Sequence, residues 1–166
     1  MMNEHEIARL VKATVSKMYG EDKPEGLSDM TLDVARKLIR KVEDKAAEMG
    51  LSVVVAVSNR AARPVAVECM DDSYIVSYDV AVKKAFTVVA IKMSTKELKP
   101  LCQPGAPLYG IELTNDGQIV IFGGGVPLKV SGQVIGGLGV SGGTEEQDTY
   151  LAEYGASVFE EELSCQ

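Results

Sequence analysis

Three tight turns packed into the last third of the chain constrain its fold more than any other feature. Gly110 to Leu113, Gln118 to Phe122, Val126 to Val130 and Gln133 to Ser141 are short β-rich runs, separated by Asn115-Asp116-Gly117, Gly123-Gly124-Gly125 and Ser131-Gly132. Parallel strands need a crossover of a dozen or more residues, so connections this short imply antiparallel pairing. Upstream, Leu51 to Val57 and Pro64 to Cys69 flank a turn at Ser58-Asn59-Arg60 and read as a hairpin. Helical periodicity fills the rest. Thr31 is placed to cap a helix that carries Leu32, Ala35, Leu38, Ile39, Val42, Ala46 and Met49 at helical spacing, and Gly50 closes it. Asp71-Asp72-Ser73 is expected to cap a second helix with Ile75, Val76, Val80, Ala81, Ala85, Val88 and Val89 on its apolar side. Ser94-Thr-Lys-Glu97 and Thr144-Glu-Glu-Gln147 are capping-box patterns. The first predicts a short helix ended by Pro100, the second a helix reaching about Leu163. Together these elements describe an α+β domain, a meandering antiparallel sheet covered by helices.

The 166 residues divide into an amphipathic leading helix over residues 1–19, a charged glycine- and proline-bearing linker at 20–26, and one compact domain over 27–166. The leading segment places Ile7, Leu10, Val11, Thr14, Val15 and Met18 at helical spacing. With a formal net charge of -7 the chain generates no positive field to gather nucleic acid, and with 5% aromatics and no Trp it offers no stacking platform for single strands. Cys69, Cys102 and Cys165 are odd in number and far apart, which fits a reducing, cytoplasmic setting and no disulfide framework. Neither a secretory signal nor a run of about 20 apolar residues is present, so no membrane partner is expected.

Few residues carry obvious chemistry. Gly137-Leu-Gly139-Val-Ser-Gly142 spells GxGxxG, but a dinucleotide unit needs a second parallel strand after the helix, and the chain stops soon after that helix. Its glycines are expected to allow tight turns and close packing of the last helix on the sheet. Ser141 to Thr144 could cradle an anion at a helix start, yet Glu145, Glu146 and Asp148 already occupy that turn. Asp71 and Asp72 serve a cap more readily than a cation. The one histidine, His5, belongs to the leading segment, which removes a Ser-His-Asp triad or multi-His metal site from the domain. What remains is Lys84 and Thr87, three residues apart and on one helix face, and the corner Phe122-Gly-Gly-Gly-Val-Pro-Leu128, whose three glycines point to positive φ or close backbone approach.

These same residues carry a resemblance. Phe122-Gly-Gly-Gly-Val-Pro-Leu-Lys129, Gly132-Gln-Val-Ile-Gly136, Gly139-Val-Ser-Gly-Gly-Thr144 with Gln147-Asp148, and upstream Met70-Asp71 with Ala81-Val-Lys-Lys84-Ala-Phe-Thr87, make residues 27–163 similar to the GlcG/HbpS-like family, which includes the C-terminal domain of PduO corrinoid adenosyltransferases. The resemblance implies a profilin-like sandwich, homo-oligomers, and a haem- or corrinoid-related role in diol, glycolate or ethanolamine metabolism. The adenosyltransferase half has no counterpart here, so that activity is not implied. In this reading haem lies in a pocket lined by Lys84, Thr87, Gly123, Gly124, Gly125 and Pro127, with Lys84 meeting a propionate and Tyr109 or Thr87 offering an oxygen ligand. A cofactor-free scaffold of a metabolic assembly is the competing reading. The leading helix and linker resemble the encapsulation peptides that bring cargo to a bacterial microcompartment shell, against the alternative of an ordinary packing arm.

Overall fold

The computed structural model describes residues 27–164, so the leading helix and linker expected at 1–26 lie outside the described residues. Helix α1, Leu32–Glu48, begins where the Thr31 hydroxyl accepts the Val34 amide at 3.3 Å, and it buries the stripe Val34, Ala35, Leu38, Ile39, Val42 and Ala46. Strands β1, Val54–Asn59, and β2, Pro64–Cys69, form the hairpin. Its turn is tied by the Asn59 side chain, which accepts the Ala61 and Arg63 amides at 3.0 Å each. Helix α2, Ile75–Ala90, and the short helix α3, Thr95–Leu98, lead to β3, Gly125–Val130, β4, Gln133–Ser141, and helix α4, Glu145–Val158. A π-helical turn carries α4 on to Leu163, the reach expected for it.

Among the described residues the strands form one antiparallel sheet in the order β2-β1-β4-β3. Alternation along β1 assigns its two faces. Val55 and Val57 join α1, α4, Leu138 and Val140 in the main core, while Val54 and Ala56 meet Ala81 and Ala85 of α2. The sheet is therefore flanked by helices on both faces, the α+β arrangement that the turn spacing implies. No described helix is long and apolar enough to cross a membrane.

The glycines of β4 serve a different helix from the one expected. A Cβ on Gly137 would lie 2.4 Å from the Ala85 carbonyl oxygen, and one on Gly139 only 2.1 Å from that of Ala81. It is α2, not the last helix, that sits directly on the strand backbone at Gly137 and Gly139, while the third glycine of the motif, Gly142, packs against Ser52 and Val53. The Ser58 hydroxyl adds a bond of 2.9 Å to the Ala85 carbonyl from the neighbouring strand.

Three local expectations fail for identifiable reasons. The runs 110–113 and 118–122 are not strands: Ile111–Leu113 and Asn115–Gly117 are 3-10 turns, and 118–122 is irregular. Thr87 explains part of this, because its hydroxyl donates 2.7 Å to the Lys83 carbonyl, lies 3.3 Å from the Gln118 carbonyl and accepts the Val120 amide at 3.0 Å. Backbone groups that would pair with a strand are thus engaged by a side chain, while Ile119 and Ile121 pack beside Leu98 and Cys102 in a satellite cluster. Asp71-Asp72-Ser73 does not cap α2; Tyr74 holds the cap position without a side-chain bond. Pro100 does not end the short helix either, since a 3-10 turn over Lys99–Cys102 continues it with the proline in its first turn, where a missing N–H costs little.

Because the obstruction at Gly139 is backbone and not a flexible side chain, Gly139→Ala must push α2 off the sheet. Overpacking of this kind costs about 1–3 kcal/mol or more. Urea unfolding is expected to show a lower midpoint at unchanged slope, and an unaltered midpoint would contradict the seating described.

Candidate functional site

Lys84 is the least expected residue in the interior. It lies on α2 with none of its surface exposed, and its Nζ donates to the Val140 carbonyl at 2.7 Å and to Asp148 Oδ2 at 2.8 Å. Asp148 comes from the first turn of α4, where its other oxygen accepts the Gly143 amide at 2.9 Å. The Phe122 ring stands over the ammonium, 5.0 Å from Nζ to its centroid, an attractive placement for a cation. Gly124 completes the enclosure: with φ at +106°, its missing Cβ would come within 2.5 Å of Nζ. Burial pulls the Lys84 ammonium below its ordinary value and pushes the Asp148 carboxyl above its own, while their mutual attraction opposes both shifts.

Side chains pin the triple-glycine corner on either side of this pair. The Gly123 amide donates to Glu145 Oε1 at 2.9 Å and the Gly125 amide to the Thr95 hydroxyl at 2.9 Å. Glu145 also pairs with Lys99, and these two contacts hold its carboxyl below the usual range. Beside the corner opens a cleft of about 260 Å³, bounded by Tyr74, Ser77, Phe122, Ser141, Glu145 and Asp148 among others. Inside it the Ser141 hydroxyl donates to that of Ser77 at 3.2 Å. Tyr74 and Val76 line the cleft and are exposed, and next to them along the chain Tyr78 is exposed and Ile75 is 98% exposed, an apolar surface at the start of α2.

The structure thus brings together Lys84, Gly123, Gly124 and Gly125, and separates them from the others expected beside them. Thr87 is buried and committed to backbone, and Pro127 is half-buried on the edge strand β3, opposite Gly137. Tyr109 is 64% exposed, in the turn before Ile111, and does not border the cleft. The expectation that Lys84 meets a propionate is corrected: its ammonium points inward, because Asp148 and the Val140 carbonyl satisfy it there. Sequence reasoning marked Phe122 only as the start of the glycine corner and missed Asp148, Tyr74 and the Ser77–Ser141 pair as members of the site. For Asp148 a signal existed. It shares the inward stripe of α4 with Leu151, Ala152 and Gly155, and an acid on an apolar stripe demands a buried partner.

A domain of this fold has known counterparts. The chain belongs to the HbpS-like family, described as haem degrading protein HbpS-like, through residues 30–157. It is 42% identical over 140 residues to an uncharacterized 15.0 kDa protein in the dhaT-dhaS intergenic region of Citrobacter freundii, covering 84% of this chain and 99% of that one. It is also 42% identical over 117 residues to the corrinoid adenosyltransferase PduO of Salmonella typhimurium. That match takes in 70% of this chain but 35% of PduO, so the chain spans about a third of that relative. Among solved structures, the PduOC:Heme complex is similar at 38% identity and a TM-score of 0.75, over 78% of this chain and 94% of that one.

Removing one member of a buried ion pair strands the other, at about 3–5 kcal/mol. Lys84→Met and Asp148→Asn are each expected to destabilise by that order. The double variant should lose less than their sum by about 1 kcal/mol or more. A double-mutant cycle by urea unfolding checks this; strict additivity would mean the two groups are not coupled.

Proposed function

We propose that this protein is a haem- or tetrapyrrole-binding accessory protein that works as a homo-oligomer beside cobalamin-dependent diol or ethanolamine metabolism. The observation that carries the reading is the likeness to the PduOC:Heme complex across nearly all of that chain. The geometry fits a macrocycle lying face-on more than one enclosed. A cleft of about 260 Å³ falls below the roughly 300–1,000 Å³ of enclosing ligand pockets. The exposed Tyr74, Ile75, Val76 and Phe122 offer the apolar surface such a face needs. Glu145 and Asp148 line the cleft and turn propionates towards solvent.

The described residues include no histidine, and tyrosine has precedent as an oxygen ligand of haem iron. Tyr74, on the rim, is placed for it, with Tyr109 the more distant choice. Bound haem would supply a redox-active iron; the chain's own residues hold its face and shield one side from water. Residues 1–19 act in this reading as the address to a microcompartment shell, supported by their amphipathic sequence and by the kinship with PduO.

Hemin titration of the full chain, with albumin as competitor against surface adsorption, is expected to give a saturable Soret shift. Tyr74→Phe should move the band; a change in Tyr109→Phe or His5→Ala instead reassigns the ligand, and no Soret shift at all favours the cofactor-free scaffold. For the address, residues 1–26 fused to a fluorescent reporter are expected to form puncta in cells that assemble the matching shell. A diffuse reporter, or puncta unaffected by Leu10→Glu, would make the segment a packing arm.

A further inference from the structure

The cleft has a polar floor that the fold itself does not need. Ser77 and Ser141 both line it, 2% and 7% exposed, and among the described residues the only side-chain hydrogen bond of either is the 3.2 Å bond between them. That length lies beyond the usual range of about 2.5–3.0 Å between hydroxyls. Each hydroxyl carries one donor and two acceptor sites. Once Ser141 donates to Ser77, the Ser77 proton has no acceptor among the described residues, and Ser141 Oγ has no donor. Ser58, the buried serine on the neighbouring strand, shows the contrast, because its hydroxyl donates to the Ala85 carbonyl at 2.9 Å. Stability is a weak reason for the pair, since replacing both partners of a hydrogen bond by apolar groups is nearly neutral. A buried proton without an acceptor, on the floor of an open cleft, has its use in a ligand.

We propose that the Ser77–Ser141 pair binds the hydroxyl of a small uncharged alcohol whose carbon chain lies along the cleft. The ligand oxygen accepts the Ser77 proton and gives its own to Ser141 Oγ, which closes a ring of hydroxyls in which each donates once and accepts once. An ether or a carbonyl can only accept, and completes half of that ring. Charge of either sign is disfavoured. The acids of the cleft repel an anion, and neither is free for a cation: Asp148 holds Lys84 and the Gly143 amide, and Glu145 holds Lys99 and the Gly123 amide. Tyr74, Val76, Val80 and Phe122 supply apolar walls, which favour a carbon chain over water. At about 30 Å³ for each water-sized group, a cleft of about 260 Å³ takes roughly eight heavy atoms, so the chain is short. Binding of this kind needs no iron and no haem.

Titration of the haem-free full chain with 1-propanol, followed residue by residue in heteronuclear NMR spectra, tests this, and its failure leaves the Soret titration untouched. The amides of Ser77, Ser141 and Gly143 are expected to shift saturably with a Kd of about 1–10 mM, the weak range open to so few atoms. Ethyl methyl ether, the same atoms without the O–H, and propionate, the same chain with a charge, should each bind about fivefold or more weakly. Ser77→Ala removes the donor and keeps a good helix former, and should weaken propanol by about fivefold or more. Val80→Phe narrows the cleft without touching either hydroxyl and should weaken it at least as much. Shifts that stay linear would make the floor a place for water only and overturn the proposal. So would an ether bound as tightly as propanol, or an affinity unchanged in either variant.

Discussion

The ion pair between Lys84 and Asp148 joins elements that the chain order keeps far apart. Lys84 comes from α2 on one side of the sheet, its carbonyl partner Val140 from the central strand β4, and Asp148 from the helix that follows. An unpaired charge in that position would cost several kcal/mol, so each element's place is conditional on the others. The pair can form only because α2 lies unusually low on β4. That approach rests on Gly137 and Gly139, where any side chain would collide with helix backbone.

The glycine corner follows from the same constraint. With a charged nitrogen beside Gly124, and Thr149 and Thr95 crowding Gly123 and Gly125, these three positions have no room for a Cβ, and the Gly123 and Gly125 amides take side-chain partners. Glu145 and Thr95 provide them, one from α4 and one from the short helix α3. The cleft is what remains between this corner and the start of α2. Ser77, Ser141, Glu145 and Asp148 line it together with Tyr74, Val76, Val80 and Phe122.

Membership of the HbpS-like family rests on residues 30–157, which hold the glycine corner, the buried pair and the exposed Tyr74, Ile75 and Val76 at the start of α2. The Phe122 ring lies against the ammonium of that pair, 5.0 Å from Nζ to its centroid.

Much of the architecture was determined by sequence alone, because its signals are local. β2 over Pro64–Cys69 and β4 over Gln133–Ser141 have the expected bounds, the two capping boxes open the expected helices, and Ala35, Leu38, Ile39, Val42 and Ala46 of the expected stripe are buried on α1, where Val34 joins them and Leu32 stays exposed. Residues 110–122 have β-rich composition as well, yet there the tertiary structure decided. A strand needs a neighbour to bond, and Thr87, 33 residues upstream of Val120, takes up its amide instead. The site divides the same way. Sequence marked Lys84 and the three glycines as unusual, but the direction in which a lysine points depends on what waits for its charge. Asp148 stands 64 residues further along the chain, and only folding α2 and α4 against β4 puts a carboxylate 2.8 Å from that nitrogen.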